Sequence, residues 1–481
     1  MKNRKGEKYE YQVAEFAYGL PVLPLYFLFG PIAILQGIYA KYFGLSLTTI
    51  AAVLFIARLF DAVSDPIVGY GVDRYYARYR TRKPFVVVGG AMFAFSSWFL
   101  YAPPSNVSSA YFLIWFLAFY LSYTIFEIPH LAWGGDLAGN SYEKNRIYAI
   151  RSFYLFTGML LFFAIPLLPI FETNEFTPQT LKWSVLAAGV LMIPALYINV
   201  VIAPDQNMAR PSTTPEGGLG TQDSLRELFR TTLANKPLLI LTAAHICTGV
   251  AAGLWMTLLF IFVDAYLLLG EFFALAYVAS FGFSIAALWF WYRVADRWGK
   301  QAAWAIGMTF VALGMAMTGF LSPSKTGWMS LGLSMTLIFG GFAAFNCMVP
   351  SIMSDIVDYG SWKFGQDRNA TYFSLYTFIN KAAGALGGAL GLAIVGWHGF
   401  LPTATSHDEN AVDGIRLAVA WIPLLLITLS IVLITQIPIT SRQHSIIRRR
   451  LDARLARAAR GINSYPNQAQ RSRNDHTTKT I

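Results

Sequence analysis

Asp61 and Asp65 stand four residues apart in the apolar stretch ARLFDAVSDPIVGYG. On a helix that spacing puts both carboxylates on one face. Two such groups can converge on one cation, or share one proton because both cannot ionise cheaply side by side. A structural arrangement uses the same residues: Arg58 pairs with one aspartate, and Asp65 caps a helix that restarts at Pro66. Glu127, in YLSYTIFEIPHLAWGG, has Thr124 one turn before it and His130 three residues after it. An acid, a hydroxyl and an imidazole on one helix face can bind a hard cation, relay a proton or hold a polar substrate. Alternatively, Thr124 bonds its own backbone and His130 is satisfied by packing. Arg151 opens an apolar run, close enough to its end to snorkel. Lys381, in YTFINKAAGALGGALG, lies too deep for that and needs a carboxylate or a polar substrate. Asp355 and Asp358, in PSIMSDIVDYGSWKFG, end another apolar run, where a salt bridge to Arg146 or Lys363 is expected. Trp133, Trp255, Tyr123, Tyr372 and Tyr376 are the aromatic candidates for stacking on a sugar ring.

The elements that carry these groups must be membrane helices. Of 481 residues, 55% are hydrophobic and only 13% charged. A soluble chain has about 25% charged residues, so soluble enzymes, disordered chains and disulfide-stapled domains are excluded. Runs long enough to cross a bilayer fall at 15–38, 47–71, 84–102, 109–135, 148–171, 182–203, 236–263, 271–293, 301–321, 327–349, 371–396 and 415–437. They predict an all-α membrane protein with twelve transmembrane helices in two pseudo-symmetric six-helix bundles. Residues 1–203 and 236–440 form the two halves, 204–235 a polar linker with a short helix near Thr221–Leu228, and 441–481 a basic tail. Cys247 and Cys347 lie in apolar runs with no CxxC or Cys/His cluster, so no metal or redox site is expected. The N-terminus lacks the pattern of a removable signal peptide.

The net charge of +11 is a matter of topology, not nucleic-acid affinity. Basic residues gather after spans two, four, six, eight and ten and at both termini, whereas Lys41, Lys182, Lys325 and Arg416 stand alone on the other side. Both termini are therefore expected in the cytoplasm, with the chain in a bacterial inner membrane. In the tail, Ile446, Ile447, Leu451 and Leu455 alternate with arginines, a pattern suited to a helix on anionic lipid or to a solvated end.

Gly69, Asp73 and Arg74 follow span two, and Asp296, Arg297, Gly299 and Lys300 follow span eight. The two segments occupy equivalent places in their halves and resemble the loop motif of the major facilitator superfamily. In both, the Asp-Arg pair is expected to tie helix ends together. Internal repeats with a site at their interface are a transporter plan.

More specific stretches are GLSLTTIAAVLFIARLFDAVSDPIVGYGVDR, TRKPFVVVG, YTIFEIPHLAWGGDL, SDIVDYGSWKFG and the lysine of YTFINKAAG. They resemble the glycoside–pentoside–hexuronide:cation symporter family over roughly residues 10–440. The resemblance implies cation coupling, by sodium or protons, at Asp61, Asp65, Thr124 and Glu127. It implies substrate contacts at Tyr123, Glu127, His130, Arg151, Thr377 and Lys381, and a conformational role for the two loop motifs with Asp355 and Asp358. The family's first-span aspartate is missing; Leu25 stands at the aligned place. Glu127 replaces a shorter acid, Leu131 an aromatic and Ser64 an asparagine, and Asn369 replaces an acid after span ten. With one acid fewer, the site is expected to favour an anionic sugar such as a uronide. The protein is expected to act as a monomer in the lipid bilayer, without a cofactor. A lysolipid carrier is the alternative, with Leu25 and Leu131 suiting an acyl chain; a non-transporting scaffold leaves the buried charges unexplained. No nucleophile–base set or phosphate-binding loop points to an enzyme or an ATP-driven pump.

Overall fold

The computed structural model describes residues 13–45, 47–104, 106–171, 176–205, 234–324, 327–365, 368–400, 407–440, 442–451 and 453. These residues fold into twelve spans. The first half contains α1 (Val13–Ile32), α2 (Leu47–Tyr79), α3 (Lys83–Tyr101), α4 (Ser109–Leu137), α5 (Ser141–Ala164) and α6 (Pro178–Ile202). The second contains α7 (Lys236–Ile261), α8 (Phe273–Trp298), α9 (Lys300–Phe320), α10 (Gly327–Phe364), α11 (Asn369–Trp397) and α12 (Glu409–Thr435). Eleven spans are apolar enough to cross a bilayer on hydropathy alone. The remaining one, α2, is a 33-residue helix whose mean hydropathy is lowered by Arg58, Asp61, Asp65, Asp73, Arg74 and Arg78. At about 1.5 Å per residue it is more than long enough to span.

Within the halves, α3 packs on α4 and α1 on α5, and correspondingly α9 on α10 and α7 on α11. The halves meet where α5 lies against α8 and α10, and where α2 and α4 lie against α11. The antiparallel alternation collects the basic loops and the tail at one end of the bundle, the basic end.

Several boundaries differ from the sequence expectation. The first span is not one continuous helix. It turns at residues 20–21, passes through a 3-10 turn at Gly30–Ala33, and continues as a short helix, Leu35–Phe43. Pro21, Pro24 and Pro31 each remove a backbone donor. Gly30 is required there because a Cβ would stand 2.5 Å from the ring of Phe162. By contrast α2 runs unbroken through Pro66, so Asp65 does not cap a restarted helix. Helices α2 and α10 run well past their apolar segments, since a helix keeps its backbone bonds after it leaves hydrocarbon. The linker from 206 to 233, with its expected helix, lies outside the described residues, as do Leu455 and the rest of the tail.

The described part of the tail is a helix over 442–451. It docks on the protein through one face: His444 and Ile447 are buried and Arg448 pairs with Asp358, while Ile446 is exposed. The face expected to meet lipid is therefore partly used against the bundle.

The glycine run of α11 is a close-packing device against α7. A Cβ on Gly387 would lie 2.2 Å from the Val250 carbonyl oxygen, and one on Gly253 would lie 2.1 Å from the Gly384 oxygen. A Cβ on Gly384 itself would meet nothing within 4 Å. Overpacking of this kind costs about 1–3 kcal/mol. Gly253→Val and Gly387→Val should each lower the apparent melting temperature of the detergent-purified protein. Gly384→Ala should leave it unchanged, and equal effects at all three positions would contradict the packing account.

Candidate functional site

The two carboxylates of α2 meet the lysine of α11. Lys381 Nζ donates to Asp61 Oδ1 at 2.9 Å, Asp65 Oδ1 at 2.9 Å and Thr124 Oγ1 at 2.8 Å. Thr124, on α4, donates its hydroxyl hydrogen bond to Asp65 Oδ1 at 2.8 Å. The helical i,i+3 spacing brings Arg58 Nη1 to 3.0 Å from Asp61 Oδ2, and the guanidinium lies over the Tyr120 ring at 4.3 Å. The expected Arg58–Asp61 pair thus coexists with convergence of both acids on one cationic group. Asp61 and Asp65 are almost wholly buried, yet Asp65 Oδ2 and Ser64 Oγ have no hydrogen-bond partner among the described residues, and Asp61 Oδ2 has only the ion pair with Arg58.

A second buried pair lies in the first half. Arg151 Nη2 donates to Glu127 Oε1. Tyr26 of α1 also donates to Glu127 Oε1, at 3.3 Å, and its hydroxyl lies 3.1 Å from that of Tyr123. Arg151 therefore does not snorkel; its side chain is 4% exposed and paired inside the bundle. Glu127 Oε2 and Arg151 Nε have no hydrogen-bond partner among the described residues. Groups left so in a native interior are costly and call for a ligand or solvent.

Thr124, Glu127 and His130 share a helix face but reach three different helices. Thr124 turns to α2 and Glu127 to α5. The His130 ring stacks on Tyr18 of α1 at 4.2 Å and on Phe126 at 5.1 Å, and its Nε2 lies 2.9 Å from the Tyr18 carbonyl oxygen. His130 thus sits in the packed core of the first half and makes no hydrogen bond to the charged groups among the described residues. Thr377 donates to its own backbone, at Phe373 O. Trp133 and Trp255 are fully buried, Tyr372 bonds Asn235 at the basic end and Tyr376 packs on His245, whereas Tyr123 lies beside Tyr26 and under Lys381. Leu25 and Leu131 are also fully buried and line no space for an acyl chain.

Sequence reasoning missed Tyr26 and Tyr120. The signal for Tyr26 was a hydroxyl in an apolar span, one residue after Leu25. It also missed a polar pair in the second half, where His245 of α7 has Nε2 3.3 Å from Asn380 Oδ1.

The basic end is closed by a second set of polar contacts between the halves. Asp73 accepts from the backbone amides of Ala370 and Thr371 at 2.8 and 2.7 Å and from Thr371 Oγ1 at 2.8 Å. The carboxylate of α2 thereby caps α11, where the helix dipole favours an anion. Its cationic partner is Arg82, at 3.3 Å, not Arg74, which is exposed. Arg82 Nε also donates to Asp136 at 2.7 Å, and Asp136 takes a 2.8 Å bond from Asn369. Gly69 marks the crossing of α2 and α11, since a Cβ there would lie 2.7 Å from Ser374.

In the second motif Asp296 and Arg297 are exposed, and the buried residue is Lys300, 2.5 Å from Asp355. Lys144 of α5 crosses the seam to Asp358 at 2.7 Å and Asp355 at 3.3 Å. Ser141 donates to Asp355, and Ser351 donates to Asn145. His444 and Arg448 of the tail complete the shell at 2.7 and 2.9 Å from Asp358. The partners expected from sequence are engaged elsewhere: Arg146 pairs with Glu15 at 2.7 Å, and Lys363 donates to the Ala234 carbonyl. At the opposite end the contact between halves is aromatic, with Phe163 of α5 stacked on Tyr277 and Phe281 of α8 at 4.9 and 5.7 Å.

Known proteins share this architecture. The bacterial homologue of ferroportin in its outward-facing state superposes with a TM-score of 0.61 at 14% identity, covering 88% of this chain and 98% of that one. The fucose:proton symporter of E. coli gives 0.59 at 14% identity, covering 87% and 97%. In sequence, the uncharacterized symporter YjmB of Bacillus subtilis is 25% identical over 85% of this chain and 88% of its own length. A glucuronide carrier protein homolog of Escherichia coli is 23% identical over 86% and 90%. The isoprimeverose transporter of Lactiplantibacillus pentosus is 22% identical over 87% and 85%. The family described as MFS/sugar transport protein matches residues 14–441, so the match takes in both halves and both motifs, and this chain belongs to that family.

Proposed function

We propose that the protein is a secondary active symporter that couples uptake of a sugar to a sodium ion or a proton, and that it favours a monoanionic sugar such as a uronide. The observation that carries the reading is a charge balance. The central site holds three acids, Asp61, Asp65 and Glu127, against three cationic groups, Arg58, Arg151 and Lys381. It is neutral as it stands. Adding one coupling cation makes it +1, and a substrate of charge −1 restores neutrality. An uncompensated charge in a desolvated site costs several kcal/mol. The glucuronide carrier homolog among the relatives agrees with this choice.

The Lys381 ammonium is itself a monovalent cation held by three oxygens. In this reading it keeps the place of the coupling ion in the empty carrier. Binding of sodium or a proton at Asp61 and Asp65 releases it toward the substrate. Because the ion prepares the site for the sugar, the sugar must raise ion affinity by the same factor. All three acids, with Arg58 and Arg151, belong to the first half, whereas Lys381 belongs to the second. When the halves, residues 1–203 and 236–440, rock apart, the first half is left one charge negative unless a cation has replaced the lysine. The basic end faces the cytoplasm, with both termini, in a bacterial inner membrane, and one chain is the working unit. The polar contacts at that end form the inner seal, and the aromatic contacts form the outer one.

Uptake into proteoliposomes of a glucuronide, a neutral disaccharide, a pentoside and a lysophospholipid, under an imposed sodium or proton gradient, tests this reading. The glucuronide should accumulate with one of the gradients, at least about tenfold better than the neutral sugar, a difference of 1.4 kcal/mol. Asp61→Asn should abolish gradient-driven accumulation. Accumulation of neutral glycosides with no competition by uronates would overturn the anionic assignment. The inner seal is tested on a background lacking Cys247 and Cys347, with a thiol placed at Ser354. Lys144→Ala should raise its labelling by an impermeant maleimide several-fold in inside-out vesicles. Unchanged labelling would mean that the Lys144 bridges do not hold that end closed.

A further inference from the structure

Among the described residues the second half contributes only Lys381 to the charged centre, yet a substrate bound between two rocking halves must also be gripped from the second. The His245–Asn380 pair is placed to do so. His245 lies within the apolar run of α7 and is 2% exposed. Its Nε2 is 3.3 Å from Asn380 Oδ1, and its ring meets Tyr376 edge-on at 4.8 Å and Phe345 at 5.2 Å. Tyr376 stands one helical turn before Asn380 on α11. Asn380 immediately precedes Lys381 and, unlike its partner, keeps an exposed side chain. A pair serving only to pin α7 to α11 would be expected to bury both members, because a polar group is tolerated in a membrane helix where it has work or a partner. The glycine contacts already hold those two helices together.

Resting on the symport reading above, we propose that Asn380 is a substrate contact of the second half and that His245 is its positioning residue. The Nε2–H tautomer of His245 donates to the Asn380 amide oxygen. That bond fixes the amide so that its NH2 group is the one presented outward. The second half then offers donors, an amide NH2 beside an ammonium, to the carboxylate or ring oxygens of an anionic sugar. Hydroxyl groups at the other end of the sugar meet the acceptor Glu127 Oε2 in the first half. Donors on one side and an acceptor on the other orient the sugar and make it bridge the seam.

The test is equilibrium binding of p-nitrophenyl glucuronide and, separately in the absence of sugar, of the coupling cation to the full-length purified protein. Asn380→Ala and His245→Phe should each raise the glucuronide Kd about tenfold or more, the scale of a lost hydrogen bond to a charged group. The cation Kd should not move. His245→Gln, which retains a donor, should recover most of the lost affinity. Asn380→Asp should weaken glucuronide binding more than binding of the neutral p-nitrophenyl glucoside. Wild-type glucuronide affinity in Asn380→Ala and His245→Phe overturns the assignment and leaves symport intact. A parallel loss of cation affinity also overturns it, since the pair would then merely support Lys381. A wild-type protein that binds neither glycoside overturns this assignment together with the reading it rests on.

Discussion

A buried charge must be matched where it stands, and the centre of this protein is arranged around that requirement. Asp61 and Asp65 are almost entirely withdrawn from solvent, so each needs a cation at hydrogen-bond distance. Arg58 supplies one from the next turn of the same helix, but helical geometry lets it reach only Asp61. Lys381 supplies the other from across the seam. It is paired there with both acids, so the two halves are held together at mid-height by an electrostatic need and not by apolar packing alone. In the proposed coupling the need is conditional: a small cation between the same oxygens would satisfy it and leave the lysine unmatched. Transport coupling can be built on such an exchange without a large rearrangement of the carboxylates.

The two ends of the seam are closed by different physics. At the basic end the contacts are directional. Asp73 accepts two backbone amides and a hydroxyl at the start of α11, and Lys144 reaches two acids of α10. Such bonds specify one alignment of the halves and are lost together when it changes. Parting them exposes Asp355 and Asp358, but Lys300, His444 and Arg448 remain with those acids on the same half. In the proposed opening of that end, the tail helix would keep part of their compensation in place. The stacked rings of Phe163, Tyr277 and Phe281 at the other end impose little alignment, so that contact can slide or separate gradually.

The fold was legible because hydropathy, loop charge and the six-plus-six division act along the chain and need no tertiary information. The interruption of the first span was the exception, since prolines in a membrane helix often leave it intact, as Pro66 does in α2. The charged residues of the site were legible for a related reason: an ionised group in an apolar run is too costly to be incidental. Their partners were not. Thr124, Glu127 and His130 share a face, yet that face is wide enough to meet three neighbouring helices, and only the packing decides which. The loop motifs misled in the same way. Arg74 and Arg297 follow their aspartates in sequence but point outward, while Arg82 and Lys300, at the starts of the next helices, point inward. Neutral polar residues such as Tyr26, His245 and Asn380 gave a fainter signal still, because a phenol, an imidazole or an amide costs less to bury than a charge and is common in helices with no function.

The position one residue before Tyr26 shows how a small change in such a site alters what it can carry. Family members that the sequence resembles place an acid near there, and this chain has Leu25, turned into the core. Glu127 nevertheless keeps two hydrogen-bond partners, because the Tyr26 hydroxyl joins Arg151 at the same carboxylate oxygen. Tyr26 brings a hydroxyl and no charge, so the site holds one acid fewer than the resemblance implies. Hydrogen-bond geometry alone would permit either a neutral or an anionic sugar, since hydroxyl groups and carboxylates both find donors and acceptors there. In the proposed charge balance, charge would discriminate between them, because its cost in a desolvated site is not relieved by shifting a bond by a few tenths of an ångström. Specificity of this kind depends less on any single contact than on the sum of charges enclosed with the substrate, and one aliphatic residue in place of an acid is enough to change that sum.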